Sequence, residues 1–280
     1  MASRIIDGKK VAAKIRESVK RRAAKLSFKP GLATIVVGNN PASRMYVSMK
    51  QKACLESGFY SENFELPERT SEMELIRLIG TLNNNQKIHG ILVQLPLPKH
   101  INTERVMQSI QPEKDVDGFH PLNMGRLMAG DEYFAAATPK GIIRLLEEFK
   151  VKLEGKEVVI VNHSTVVGKP LALMLLNRNA TVCVCHKFTE DLKSHTSNAD
   201  VLISAAGVPN LIRGGMVKKG VVVIDGGIAK LGVKTVGDVD FEGVSKKASL
   251  ITPVPGGVWP MTIAMLLENT LAAAVSQNRS

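Results

Sequence analysis

The chain has 280 residues, 44% hydrophobic and 22% charged, enough for one large domain or two modest ones. Its formal charge of +11 favours anionic partners, but the cations are spread along the chain and aromatic residues are only 4%, which argues against a nucleic-acid partner. The apolar C-terminal run from Met261 to Val275 is broken by Glu268 and Asn269, so no segment reaches the roughly 20 apolar residues of a membrane helix.

Three cysteines, Cys54, Cys183 and Cys185, are too few for a disulfide framework and fit a reducing cytoplasm. Cys183 and Cys185 have no second cysteine pair to complete a zinc site, so no metal is expected. The basic N-terminus contains Asp7 and Glu17 and lacks an apolar signal core, and it reads as a surface helix.

In chain order, Val11, Ala12, Ile15, Val19 and Ala23 recur at helical spacing, and Leu32 to Gly38 then reads as a short buried strand. A second helix is expected from Ser43 to Gly58. A third runs to Leu82 from Ser71, whose spacing to Glu74 is that of a capping box. His89 to Pro98 contains a buried strand ended by prolines. Small residues at Ala135 to Pro139 mark a domain boundary before a helix through Ile142, Ile143, Leu145, Leu146 and Phe149.

Beyond it, four apolar β-rich runs, Glu157 to Asn162, Thr181 to His186, Val201 to Gly207 and Gly220 to Gly227, have the pattern of a parallel sheet with crossovers. A helix opened by Pro260 closes the chain and is expected to return to the first domain. The fold class is therefore α/β: residues 1–137 plus 260–280 form one domain, and residues 138–259 a second, Rossmann-like one.

Val158 to Pro170 runs from strand to turn to helix, which gathers backbone N–H groups and the positive helix end where a pyrophosphate can bind. Its only glycine is Gly168, so the G-x-G-x-x-G fingerprint is absent, and an ordinary βα turn is about as good a reading. Asn162 tolerates positive φ, and Ser164 can donate to a phosphate. His186, Lys187 and Thr189 follow the next strand, where a doubly wound sheet approaches the adenosine ribose; Lys187 points to NADP, against a plain solvated loop charge.

Tyr46 and Lys50, four residues apart, share one helix face, a pair suited to proton chemistry if the lysine is desolvated. Gln94 stands in an apolar run, and Asp115 and Asp117 flank a DG turn; singly, each has a structural explanation.

Together, Y-x-x-x-K-x-K, G-I-L-V-Q-L-P-L-P, P-x-K-D-V-D-G, T-P-x-G, S-x-x-V-G-x-P, V-G-D-V and I-T-P-V-P-G-G-V, in this order from about Ile6 to Ala273, resemble the bifunctional methylenetetrahydrofolate dehydrogenase/methenyltetrahydrofolate cyclohydrolase family. The resemblance implies a folate-binding catalytic domain and an NAD(P)-binding domain with a cleft between them. It implies oxidation of 5,10-methylenetetrahydrofolate with NADP, NAD being possible, then hydrolysis of the methenyl cation to 10-formyltetrahydrofolate, in a cytoplasmic homodimer.

By the same resemblance Lys50 handles protons, Gln94 orients it, Tyr46 lies beside the folate ring, Ser43 supports it and Asp117 anchors the pterin. Val93, Leu95, Pro255, Gly256, Gly257 and Val258 line the substrate; Asn162, His163, Ser164 and Lys187 meet the cofactor, and Ile228 its nicotinamide end.

The sequence departs from the family's pattern at Asn162, where glycine is usual, at His163, at Ala136-Ala137 in place of Pro-Cys, and at Trp259 in place of glycine. These departures keep open a chain that is mainly a cyclohydrolase, with weak or NAD-selective dehydrogenase activity. The high charge keeps a more remote reading open, an inactive scaffold or nucleic-acid-binding protein.

Overall fold

The computed structural model describes residues 3–278 apart from residue 233. In chain order its elements are β1 (Arg4–Ile5), α1 (Gly8–Ala23), β2 (Gly31–Val37), α2 (Pro41–Glu56), β3 (Tyr60–Leu66), α3 (Glu72–Asn83), β4 (Gly90–Val93), α4 (Thr103–Ser109), α5 (Pro121–Met128), α6 (Ala137–Glu148) and β5 (Glu157–Val161). There follow α7 (Gly168–Leu176), β6 (Thr181–Cys185), α8 (Leu192–Thr196), β7 (Val201–Ser204), β8 (Val222–Asp225), β9 (Ala229–Leu231), β10 (Lys234–Val236), α9 (Phe241–Ser245), β11 (Leu250–Ile251) and α10 (Trp259–Gln277). None of the described helices is long and apolar enough to cross a membrane.

The chain divides into two compact units, residues 14–137 with 263–280 and residues 1–13 with 138–262. The first is built on a parallel sheet in the order β3-β2-β4. Every residue of β2 is buried, as its position in the centre requires. Alternation sends Ala33, Ile35 and Val37 to one face, where they pack with Leu75 and Ile79 of α3 and Val106 of α4. Thr34, between them, points to the other face.

Side-chain caps fix the starts of α2 and α3 in this unit. Asn40 accepts from the backbone N–H groups of Ala42 and Ser43 at the start of α2, followed by Pro41 in the first turn. Ser71 accepts from Glu74 N–H while the Glu74 carboxylate accepts from Ser71 N–H at 2.8 Å, the capping box expected at α3.

Strand β3 was not legible as a strand. Tyr60–Leu66 reads YSENFEL, and as the outer strand of the sheet it carries Glu62 and Glu65 without burying both faces.

The second unit is a six-stranded sheet in the order β1-β11-β8-β7-β5-β6, with all its pairings parallel. Residues 1–13, assigned with the first domain from sequence, belong here, because β1 adds to β11 through the pairs Arg4↔Leu250 and Ile5↔Ile251. A two-residue strand is too short to leave a period in the sequence. The four apolar runs become β5, β6, β7 and β8, and Val159, Val161, Leu202 and Val223 form the core of one face.

Candidate active site

In the first unit the chemistry gathers between α2 and the end of β4. Ser43, Tyr46, Lys50 and Cys54 follow at intervals of three and four and share one face of α2. Lys50 Nζ donates to Gln94 Oε1 at 2.9 Å, and Gln94 Nε2 donates to the carbonyl of Leu95 at 2.8 Å. The backbone of Gln94 is held by its N–H to Ile35 O at 2.8 Å, one residue beyond the last residue of β4. Both ends of the Lys50–Gln94 bond therefore rest on regular structure.

Burial lowers the Lys50 pKa below the ordinary lysine value, against the opposing pull of the Asp117 carboxylate and Cys54. Burial of Cys54 pushes its thiol up to about 12, so it stays a neutral neighbour of the amine. Tyr46, one turn away and half-buried, has its phenol raised by burial and is a proton-bearing neighbour at neutral pH.

The DVDG turn separates two carboxylates by role. Asp115, fully buried, accepts from Phe119 N–H at 3.2 Å, His120 N–H at 2.8 Å and Asn123 Nδ2 at 2.9 Å, so it builds the turn. Gly118 adopts φ +72 and lies against the backbone of Phe134 and Ala136, where a side chain has no room. Asn269 of α10 donates to Val116 O at 2.9 Å and Ala135 O at 3.1 Å, pinning the same turn from behind. Asp117 is left half-buried, and loss of solvation raises its pKa to about 6, Lys50 pulling it down and Asp115 pushing it up.

Sequence reasoning named Asp115 but missed Asn269. A buried asparagine inside the apolar stretch of α10 was the available signal. Val93 is buried at the end of β4 and Leu95 follows Gln94.

The remaining candidates lie in the second unit. Asn162, a residue that tolerates positive φ, does not adopt it here. It works through its side chain instead: Oδ1 accepts from Ser164 N–H and Oγ, each at 2.8 Å, and from Gly168 N–H at 3.0 Å, while Nδ2 donates to Ala205 O at 2.6 Å. The Ser164 hydroxyl proton is thus already committed, and its oxygen accepts from Val167 N–H at 3.1 Å. Gly168 packs directly on Asn162 O, leaving no space for a Cβ.

Beside this turn the rings of His163 and His186 lie 4.9 Å apart, joining the ends of β5 and β6. Lys187 Nζ sits 4.8 Å over the ring of exposed Phe188, and Thr189 Oγ1 accepts from His186 N–H.

The end of β8 is tied by two buried carboxylates. Asp225 accepts from Gly227, Asp238 and Val239 N–H, each at 3.0 Å, and burial raises its pKa to about 6. Asp238 accepts from Ser204 Oγ at 2.7 Å and from the N–H groups of Ala206 and Val208. Gly227 and Gly237 lie against these carboxylates, which explains both DGG and VGD as packing requirements. Sequence reasoning quoted V-G-D-V without giving Asp238 a role. Ile228 follows this knot and is partly exposed.

Pro255, Gly256, Gly257 and Val258 also belong to this unit, where Gly256 adopts φ +114, its carbonyl accepts from Lys9 N–H at 3.1 Å, and Gly257 leaves no room for a Cβ on Gly8. Trp259 is half-buried and opens α10.

A desolvated lysine–glutamine pair with an ionisable carboxylate on one α/β unit, and a parallel sheet with a tightly closed βα turn on the other, have the make-up of a nucleotide-using α/β enzyme. The family described as tetrahydrofolate dehydrogenase/cyclohydrolase matches through its catalytic domain over residues 6–117 and through its NAD(P)-binding domain over residues 136–278. The bifunctional protein FolD of Methanosarcina barkeri is 57% identical over 276 residues, covering 97% of this chain and 96% of that protein.

Among solved structures, the bifunctional enzyme FolD of Campylobacter jejuni aligns with a TM-score of 0.97 at 52% identity over all of both chains. The Trypanosoma brucei methylenetetrahydrofolate dehydrogenase-cyclohydrolase, complexed with NADP cofactor and inhibitor, aligns at 0.96 and 36% identity over all of both chains. The chain belongs to the tetrahydrofolate dehydrogenase/cyclohydrolase family, as a bifunctional enzyme of the FolD type.

The mutual influence of Lys50 and Asp117 is measurable without substrate. Because the lysine charge holds the carboxyl pKa down, Lys50→Met should move the Asp117 titration upward from about 6, as followed by carbon NMR of the labelled carboxyl group. A titration point that stays put or falls would break the electrostatic link between the two residues.

Proposed function

We propose that the chain oxidises 5,10-methylenetetrahydrofolate with NADP and hydrolyses the resulting methenyl cation to 10-formyltetrahydrofolate. The domain of Lys50, Gln94 and Asp117 is the folate-binding one, and that of Asn162 and Lys187 the cofactor-binding one. The observation that carries this reading is the 2.9 Å bond from the desolvated Lys50 amine to Gln94.

The Asp117 carboxylate, ionised above about pH 6, accepts hydrogen bonds from the aminopyrimidine edge of the pterin. Tyr46 packs beside the folate ring and Ser43 supports that face of α2; Val93 and Leu95 complete the substrate contacts on this unit.

Donor chemistry at the second unit fits a phosphorylated dinucleotide. His186 to Thr189 carries two nitrogen-bearing side chains and a hydroxyl, groups suited to a 2′-phosphate at the ribose position. Lys187 meets that phosphate, His163 and His186 flank the adenosine end, Asn162 and Ser164 shape the turn under the pyrophosphate, and Ile228 borders the nicotinamide. When bound there, the oxidised nicotinamide supplies the hydride acceptor.

After hydride loss the one-carbon unit is an electrophilic cation. Water adds to its carbon, and the neutral Lys50 amine takes the proton that water loses. Gln94 holds the amine by accepting one of its hydrogens, which leaves the nitrogen lone pair for this transfer. That proton is delivered to N5 as the carbon–N5 bond breaks, while the hydroxyl of the adduct loses its own proton to solvent as the C=O forms, so the formyl group stays on N10 and one proton is released overall.

Free cysteines in the described chain suit a reducing cytoplasm. The outer edge of β3, at one side of its sheet, suits a homodimer built by strand addition.

Replacing Lys50 by Met should abolish hydrolysis of the methenyl cation while circular dichroism stays native. In the wild type, hydrolysis should fall as pH drops through the lowered pKa of Lys50, because the protonated amine cannot accept a proton. Hydrolysis at near wild-type rate in the variant contradicts the role.

Cofactor selection is tested separately by steady-state kinetics at fixed ionic strength. Lys187→Ala should raise the Michaelis constant for NADP several-fold and leave that for NAD almost unchanged, since a partly exposed point charge gives modest discrimination. Equal losses with both cofactors would assign Lys187 a structural role.

A further inference from the structure

Outside the catalytic residues, the edge strand β6 carries an unexpected group of soft ligands. Cys183 and Cys185, two apart on a strand, project to the same face, and their Sγ atoms are 3.9 Å apart. The third member comes from α8: His195 Nδ1 lies 3.5 Å from Cys183 Sγ, and the three donor atoms all fall within 4.8 Å of one another. Reading the cysteines alone ruled out a zinc site for want of a second pair; a histidine on the neighbouring helix removes that objection.

The separations can be compared with what a metal needs. Zinc at about 2.3 Å from sulfur and about 2.0–2.1 Å from nitrogen, in tetrahedral geometry, requires roughly 3.8 Å between sulfurs and roughly 3.5 Å from sulfur to nitrogen. Both the sulfur–sulfur distance and the Cys183–His195 distance already have these values. Only the Cys185–His195 separation must close, and His195 is exposed, so its ring is free to turn.

Burial is graded in the same sense. Cys185 is buried, Cys183 intermediate and His195 exposed, which leaves a solvent-facing fourth position for water. The Thr189 hydroxyl interacts with the Cys185 thiol and supplies an outer-shell partner.

We infer that Cys183, Cys185 and His195 form a binding site for one zinc-class ion, completed by water, which ties the edge strand β6 to α8. Binding releases a proton from each thiol to solvent, and no oxidation is involved. The site stands immediately before His186 and Lys187 in the chain, but its existence does not depend on their role in cofactor binding.

The test is a titration of the reduced, full-length, metal-stripped protein with cobalt(II) in a non-thiol reductant, followed by displacement with zinc. One cobalt per chain, a thiolate-to-cobalt charge-transfer band and tetrahedral visible bands are expected, all lost on adding zinc. Cys183→Ser and His195→Phe should each remove the tetrahedral spectrum while circular dichroism and dehydrogenase activity persist. Cys54→Ser should keep it. Absence of the charge-transfer band in the wild type, its survival in Cys183→Ser, an unaltered tetrahedral spectrum in His195→Phe, or its loss in Cys54→Ser would each overturn the assignment.

Discussion

The hydrogen bond between Lys50 and Gln94 is the contact on which the chemistry of the first unit turns. A lysine is useful as a base only if something removes its preference for charge, and here burial does so while Asp117 works in the opposite direction. The two influences leave an amine responsive to its surroundings. Gln94 adds direction without adding charge: a carboxylate in its place would favour the ammonium ion and defeat the purpose. Its own Nε2 is held by Leu95 O, which fixes which end of the amide faces the lysine.

The carboxylates of the molecule show the same economy of position. Asp115 and Asp117 are two residues apart, yet one is saturated by backbone and asparagine donors and the other keeps its oxygens available. Asp225 and Asp238 are both saturated, by backbone N–H groups of the turns around them and, at Asp238, by the Ser204 hydroxyl as well. A buried carboxylate that accepts several backbone hydrogen bonds builds a loop; one that does not is available for a ligand. The motif DVDG contains both kinds without distinguishing them, and VGDV holds a loop-building carboxylate that reads no differently.

Much of the architecture was legible because the forces behind it are periodic. The apolar runs within β5, β7 and β8, the capping box at Ser71 and the Tyr46–Lys50 interval each follow from a local rule. What escaped depended on distant partners. β1 is two residues long and exists because β11 accepts it, and β3 is a polar edge strand recognisable only beside β2. In the sequence Asn162 offered only its tolerance of positive φ, whereas in the fold its amide closes the turn over Ser164, Gly168 and Ala205, the last 43 residues away in the chain. The pairing of Lys50 with Gln94, 44 residues apart, rested on family resemblance until the fold brought them together.

The state of the Lys50 amine is the quantity most directly at stake, and nitrogen-detected NMR of the lysine side chains reads it site by site. Lys50 should titrate below the ordinary lysine value, and Gln94→Met should broaden its resonance as the amine loses its fixed partner. If Lys50 titrates together with the surface lysines, its amine is an ordinary ammonium ion at neutral pH, and the proton chemistry assigned to it is contradicted.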